Sequence, residues 1–187
     1  MTGEKLFNKG GIKMDNEKTV EDVINVLKMQ EDILQFTHFT NNDAWELGKL
    51  MVEEAKRKGI NVALQIRLSN GAVLFQHLMD TTNLDNVFWM ERKFNTVIRM
   101  EMSSLRLFTQ LKNNDQTMED KFLDEKIFAC CGGGFPIRLE DSGVIGVVVC
   151  SGLNHVLDHD FLVKCLTRYL HQDEVPRISR QDIEPGF

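Results

Sequence analysis

The sequence predicts a single α/β domain in which helices pack on a mainly antiparallel sheet of about five strands. Three observations carry this. Val62, Leu64, Ile66 and Leu68 alternate with Ala63, Gln65 and Arg67, the two-residue period of a strand with one apolar face. Asn70-Gly71 follows, the strongest short-range hairpin signal, and it turns the chain back antiparallel. Before and after this pair, apolar residues recur every three or four positions, the period of helices that bury one stripe.

The first helix is expected over residues 20–35, with Thr19 as cap, Asp22 near its positive end, and Val20, Val23, Ile24 and Leu27 on one stripe. Residues 36–39 form a short strand candidate. Asp43 and Glu46 have capping-box spacing, and Lys56-Arg-Lys58 before Gly59 marks a helix end. After the hairpin, residues 72–75 return as a strand. Residues 85–112 then read as one long helix carrying Phe94, Ile98, Met102, Leu105 and Phe108. Its weak point is Ser103-Ser104, whose hydroxyls compete for backbone partners. A polar loop over 112–121 precedes two strand candidates, 127–131 and 137–139, on either side of three glycines. Asp141-Ser-Gly143 is a turn, residues 144–150 a buried strand, and residues 155–170 the closing helix. These elements divide the chain into a flexible tail over 1–18, one domain over 19–175 and an irregular tail over 176–187 containing Pro176 and Pro185.

Composition narrows the function classes. Residues that are 42% hydrophobic and 27% charged describe an ordinary globular chain. A formal charge of −6 offers no electrostatic attraction to nucleic acid or an anionic membrane. No run approaches the roughly 18 apolar residues that span a bilayer. The N-terminal residues lack an apolar signal core, and the four cysteines contain no C-x-x-C pair. Reduced thiols in the cytoplasm are therefore expected.

Gly132-Gly133-Gly134-Phe135-Pro136 is the most unusual stretch. Glycines so dense serve either a tight turn between strands or a wall of backbone against which a ligand lies. Neither G-x-G-x-x-G nor the phosphate-loop pattern is present. His155 and His159 stand four apart, on one helix face, and form the best metal-like pair, although the H-E-x-x-H pattern is missing. Asp158 lies beside them, and Arg92-Lys93 is a candidate grip for a carboxylate. Trp45, Phe88 and Trp89 read as core or interface aromatics.

These motifs occur in a particular order. Asp43-Ala-Trp-Glu-Leu-Gly48 comes first, then Asp85-Asn86 with Trp89 and Arg92-Lys93, then Ser103-Ser104. Gly132-Gly-Gly-Phe-Pro-Ile137, Gly143-Val-Ile-Gly146, Ser151-Gly-Leu153 and Asp158-His159 complete the series. Over residues 43–170 the chain closely resembles the uncharacterised protein family 0303, a branch of the haem-degrading-domain (GlcG-like) superfamily. The resemblance implies a profilin-like three-layer α/β/α fold, assembly as a homo-oligomer, and relatives that bind or degrade haem. It brings Arg92, Gly132, Gly133, Gly134, Phe135, Pro136, Asp158 and His159 together as the expected ligand site. Haem would also need an axial ligand, for which the helical spacing of His155 and His159, not the resemblance, makes them the candidates, as for another metal. Asn154 departs from the proline that relatives often carry.

Three functions follow as expectations. The first is a non-catalytic assembly or adaptor domain. The second is binding, or degradation, of haem or another small anionic aromatic ligand at the glycine segment. The third is a metal-assisted hydrolase using His155 and His159.

Overall fold

The computed structural model describes residues 18–184. Its elements run α1 (Val20–Ile33), α2 (Asn41–Lys58), β1 (Ala63–Leu68), β2 (Val73–Leu78), α3 (Leu84–Met100) and α4 (Ser104–Asn113). A 3-10 turn at Glu119–Lys121, β3 (Gly134–Arg138), β4 (Val144–Ser151), α5 (His155–Tyr169) and the short α6 (Arg180–Ile183) follow. The strands form one sheet in the order β2-β1-β4-β3, and every neighbouring pair is antiparallel.

The sheet has four strands rather than about five. Residues 127–131 do not join it, because α3 takes up their backbone groups. Ala129 N donates to Arg92 O and to Thr96 Oγ1, Thr96 Oγ1 donates back to Ala129 O, and Asn95 Nδ2 donates to Ile127 O. Residues 36–39 contribute only a parallel bridge from Phe36 to Leu139, beside the outer edge of β3.

Strand alternation sorts the core into two layers. Leu64 and Ile66 of β1, Val148 and Cys150 of β4, and Phe135 and Ile137 of β3 face α2 and α5, where they meet Leu47, Met51, Leu162 and Leu166. Ala63, Val147 and Val149 point to the opposite face and pack on Met90, Phe94 and Val97 of α3. The result is a three-layer α/β/α arrangement. A further cluster joins α1, α4 and α5 through Val23, Leu27, Leu105 and Val156.

Helix ends explain most boundary shifts. The box that opens α2 is Thr40 with Asp43, not Asp43 with Glu46: Thr40 Oγ1 accepts from Asp43 N, and Asp43 Oδ2 accepts from Thr40 N. Gly59 ends α2 at φ +63, where a side chain would be strained. The expected long helix breaks where the paired serines predict. Glu101 turns left-handed, Ser103 caps α4, and Glu31 of α1 accepts the Ser103 N–H at 2.9 Å while pairing with Arg106 at 2.7 Å.

Of the irregular tail expected over 176–187, residues 176–184 are described, and they include one short helix. Ile178 and Ile183 are buried in the α1–α4–α5 cluster, and α6 is closed by a Ser179–Asp182 capping box. The tail expected over residues 1–18 lies outside the described residues except for Lys18, which bonds Arg177 O and Asp182.

Candidate functional site

The chemistry of the site starts from a buried ion pair. Lys93, on the inner face of α3, and Asp158, in the first turn of α5, are each 2% exposed. Lys93 Nζ lies 2.9 Å from Asp158 Oδ2 and donates to Cys150 O at 2.9 Å. Asp158 Oδ1 accepts from Leu153 N at 3.0 Å and from the Cys150 thiol at 3.6 Å. Burial pushes the Asp158 carboxyl upward, and the neighbouring ammonium pulls it back. The pair pins α3 to α5 across the end of β4.

The glycine segment packs against this pair and lines neither of the two cavities described below. Residues 132–137 are all buried. A Cβ on Gly133, whose φ is +112, would sit 2.4 Å from Cys150 O and 2.6 Å from Lys93 Nζ. One on Gly132 would meet His155 O at 2.2 Å, and one on Gly134 would meet Val97 Cγ2 at 2.8 Å. Close approach, not ligand access, explains the three glycines. Their backbone groups are also engaged: Gly132 N donates to His155 Nδ1, Gly134 N to Ser104 Oγ, and Gly133 O accepts from Cys150 N. Nor do they join two strands, since β3 begins at Gly134 itself. Phe135 is a fully buried core residue, and Pro136 is buried beside it.

Both histidines are engaged in the fold, His155 through both ring nitrogens and His159 through one. His155 Nδ1 accepts from Gly132 N, which puts its hydrogen on Nε2, 3.0 Å from Glu184 Oε1. His159 is 0% exposed; its Nε2 bonds Gln30 Oε1 at 2.8 Å, while Nδ1 is buried without a partner. Desolvation pushes the His159 imidazole down to about 3, so it stays neutral. Among the described residues, no group of three or more His, Cys, Asp or Glu is placed to hold a metal ion. Burial also raises all four thiols, Cys130 and Cys165 to about 12.

An open cavity of about 360 Å³ lies on the solvent side of the ion pair. Asp85, Asn86, Trp89 and Lys93 line it from α3; Ser151, Gly152 and Leu153 line it from the end of β4; His155 and Asp158 belong to α5. Both helices begin here, capped by Asn83 and Asn154. Asn154 thus supplies a side-chain cap to Val156 N where a proline could not. Of the expected ligand residues, Asp158 lines this cavity, whereas His159, the glycines, Phe135 and Pro136 lie beneath it. Arg92 stacks over Trp89 at 4.4 Å and donates to Phe128 O. His155, expected as a metal donor, lines the rim.

A second concavity was not anticipated from the sequence. Between α2 and the edge strand β2 runs an open groove of about 500 Å³. Trp45, Lys49, Val52, Glu53 and Lys56 form a stripe along α2, and Phe75 and His77 point from β2 on the same side. Gly48 lets the Phe75 ring lie directly on the helix, for a Cβ there would be 2.4 Å from the ring. Trp45 packs edge-on to Phe75 at 6.3 Å and is still 57% exposed. Lys49, Lys56 and His77 make no ion pair or hydrogen bond among the described residues. The signal was present in the sequence as a Trp-Lys-Lys stripe at helical spacing, but only the pairing of β2 shows what it faces.

A three-layer α/β/α fold on a four-stranded antiparallel sheet, with concavities at the sheet edge and at the start of α3 and α5, defines the structural class of the domain. Within that class, the family described as haem degrading protein HbpS-like matches residues 39–167. A UPF0303 protein of Rhizobium johnstonii is 37% identical over 155 residues, covering 83% of this chain and 95% of the relative. The chain belongs to this HbpS-like family, in its UPF0303 branch. The crystal structure of Ybr137w protein superposes with a TM-score of 0.74 at 30% identity, covering 83% of this chain and 95% of that one. A PduOC:heme complex shares the fold, with a TM-score of 0.59 at 18% identity over 74% of this chain and 99% of that one.

Proposed function

We propose that the protein binds haem or a closely similar anionic aromatic ligand, and that the α2–β2 groove holds it. The observation that carries this is His77, an imidazole with neither nitrogen engaged among the described residues, which lines the groove together with Trp45, Phe75, Lys49 and Lys56. Haem needs an axial donor, a flat apolar contact and cations for its two carboxylates. The groove offers all three; among the described residues that line it, Glu53 is the one opposing charge. The cavity beside Lys93 fits haem poorly. Two carboxylates there face one ammonium, and the ring nitrogens of His155 are committed to Gly132 and Glu184. Family membership and the relative solved with haem support the ligand class. When bound, haem would supply an iron centre; His77 would ligate it and the lysines would orient it.

Titration with haemin tests the proposal. A saturable Soret band is expected, abolished or shifted by His77→Ala and weakened several-fold by Lys49→Ala with Lys56→Ala. His155→Ala should leave it intact. A band insensitive to His77→Ala, or none at all, refutes the assignment.

A specific observation favours a second reading as a self-assembling domain. Leu84, Phe88 and Phe122 expose large apolar side chains, Phe122 being 91% exposed, and β2 is an open sheet edge. Light scattering on purified protein would give a homo-oligomer under this reading and a monomer against it.

A further inference from the structure

We infer that the cavity beside Lys93 is a separate binding site for a neutral polyhydroxylated molecule of monosaccharide size. Its polar groups are built rather than incidental. Lys93 is 2% exposed, and its ammonium spends two of three N–H groups on Asp158 and Cys150 O. The third is left for an acceptor, and Lys93 forms part of the cavity lining. Ser151 Oγ accepts a long 3.4 Å hydrogen bond from Asn86 Nδ2 and keeps its own hydrogen to give. The Asp85 carboxylate has no internal partner among the described residues and can only accept.

Charge and donor pattern select the ligand class. Among the described lining residues, Asp85 and Asp158 against Lys93 leave a net negative charge, which disfavours carboxylates and phosphates. The nearby Arg92 is outside the lining, stacked on Trp89 and bonded to Phe128 O. The ammonium at its base disfavours a cation. A hydroxyl both donates and accepts, so it satisfies Lys93 and Asp85 with one kind of group. Trp89, 36% exposed, offers an apolar surface for the C–H face of a sugar or cyclic polyol. The volume of about 360 Å³ equals roughly a dozen waters at about 30 Å³ each, the scale of a monosaccharide. This inference is independent of the groove and of haem.

The test is saturation-transfer NMR on the full chain with glucose, galactose, ribose, glucitol and myo-inositol as probes, followed by calorimetric titration of the best. Gluconate, which differs from glucitol by a carboxylate, is the charge control. At least one neutral probe should bind saturably, with gluconate about tenfold weaker or more. Asp85→Asn, which preserves shape, and Ser151→Ala should each weaken the neutral ligand about tenfold, with unchanged circular dichroism. His77→Ala should leave this binding untouched. Absence of saturable binding by every neutral probe overturns the inference, as does binding that both cavity variants leave unchanged. Preference for gluconate overturns it too, because it would reverse the argument from charge.

Discussion

Replacing Asp158 by Ala, which removes one partner of the buried ion pair without introducing a clash, should destabilise the protein strongly. Removing one partner of a buried ion pair costs about 3–5 kcal/mol, because the other charge stays desolvated. Lys93 would keep only Cys150 O, and Leu153 N would lose its acceptor. The cavity admits water on one side of the pair, which places the cost near the lower end, about 3 kcal/mol. For a chain of this length each kcal/mol shifts the melting temperature by about 2–4 °C, so a fall of about 6–12 °C is expected. Lys93→Met should cost a similar amount at neutral pH and less in acid, since burial already favours protonation of Asp158. The double variant Lys93→Met/Asp158→Ala should recover part of the loss, because neither charge is then left buried alone. Urea denaturation of the four proteins completes the cycle. If Asp158→Ala costs less than about 1 kcal/mol, or the two single losses simply add, the pair is not the desolvated clamp described above.

Gly133→Ala should cost more than about 3 kcal/mol or prevent folding, because its Cβ meets backbone at a positive φ. Gly143→Ala, with nothing within 4 Å, should stay within about 0.5 kcal/mol by the same melts. His159 gives stability a pH slope. Between the ordinary imidazole value near 6.5 and about 3, the unfolded chain binds a proton that the folded chain refuses. Stability therefore falls as pH falls through that window, by up to about 1.4 kcal/mol per unit, and His159→Gln should flatten the slope. The four thiols, all raised by burial, should react slowly with a disulfide reagent at neutral pH and fully after unfolding. A fast-reacting thiol in the native protein would contradict that expectation.

Local chemistry written in short stretches was readable before any coordinates. The Thr19 cap, the Gly59 stop, the β1–β2 turn at Asn70-Gly71 and the helix break at the paired serines all depend on a few adjacent residues. Residues 127–131 misled because a short apolar run looks alike in a strand or against a helix. Only the hydrogen bonds from α3 decide which it is. At the site, Asp158 was recognisable, but its partner Lys93 was grouped with Arg92 by adjacency, although the two side chains leave α3 in different directions. The glycines signalled tight geometry correctly. Whether that space held a ligand or a neighbouring backbone depended on contacts with residues up to dozens of positions away. The α2–β2 groove required the register of the sheet, which no local pattern contains.

The three glycines have one more consequence. Gly132 rests on the α5 backbone, Gly133 on the end of β4 and the Lys93 ammonium, and Gly134 on Val97 of α3. Helical layers on opposite faces of the sheet thus meet at its end on the same three glycines, beside the Lys93–Asp158 pair. Detaching either layer would strip contacts from the other at the same residues. The domain should therefore have no half that survives alone: calorimetric and van't Hoff enthalpies of melting should coincide, and amides of α3 and α5 should exchange with solvent through one common opening event.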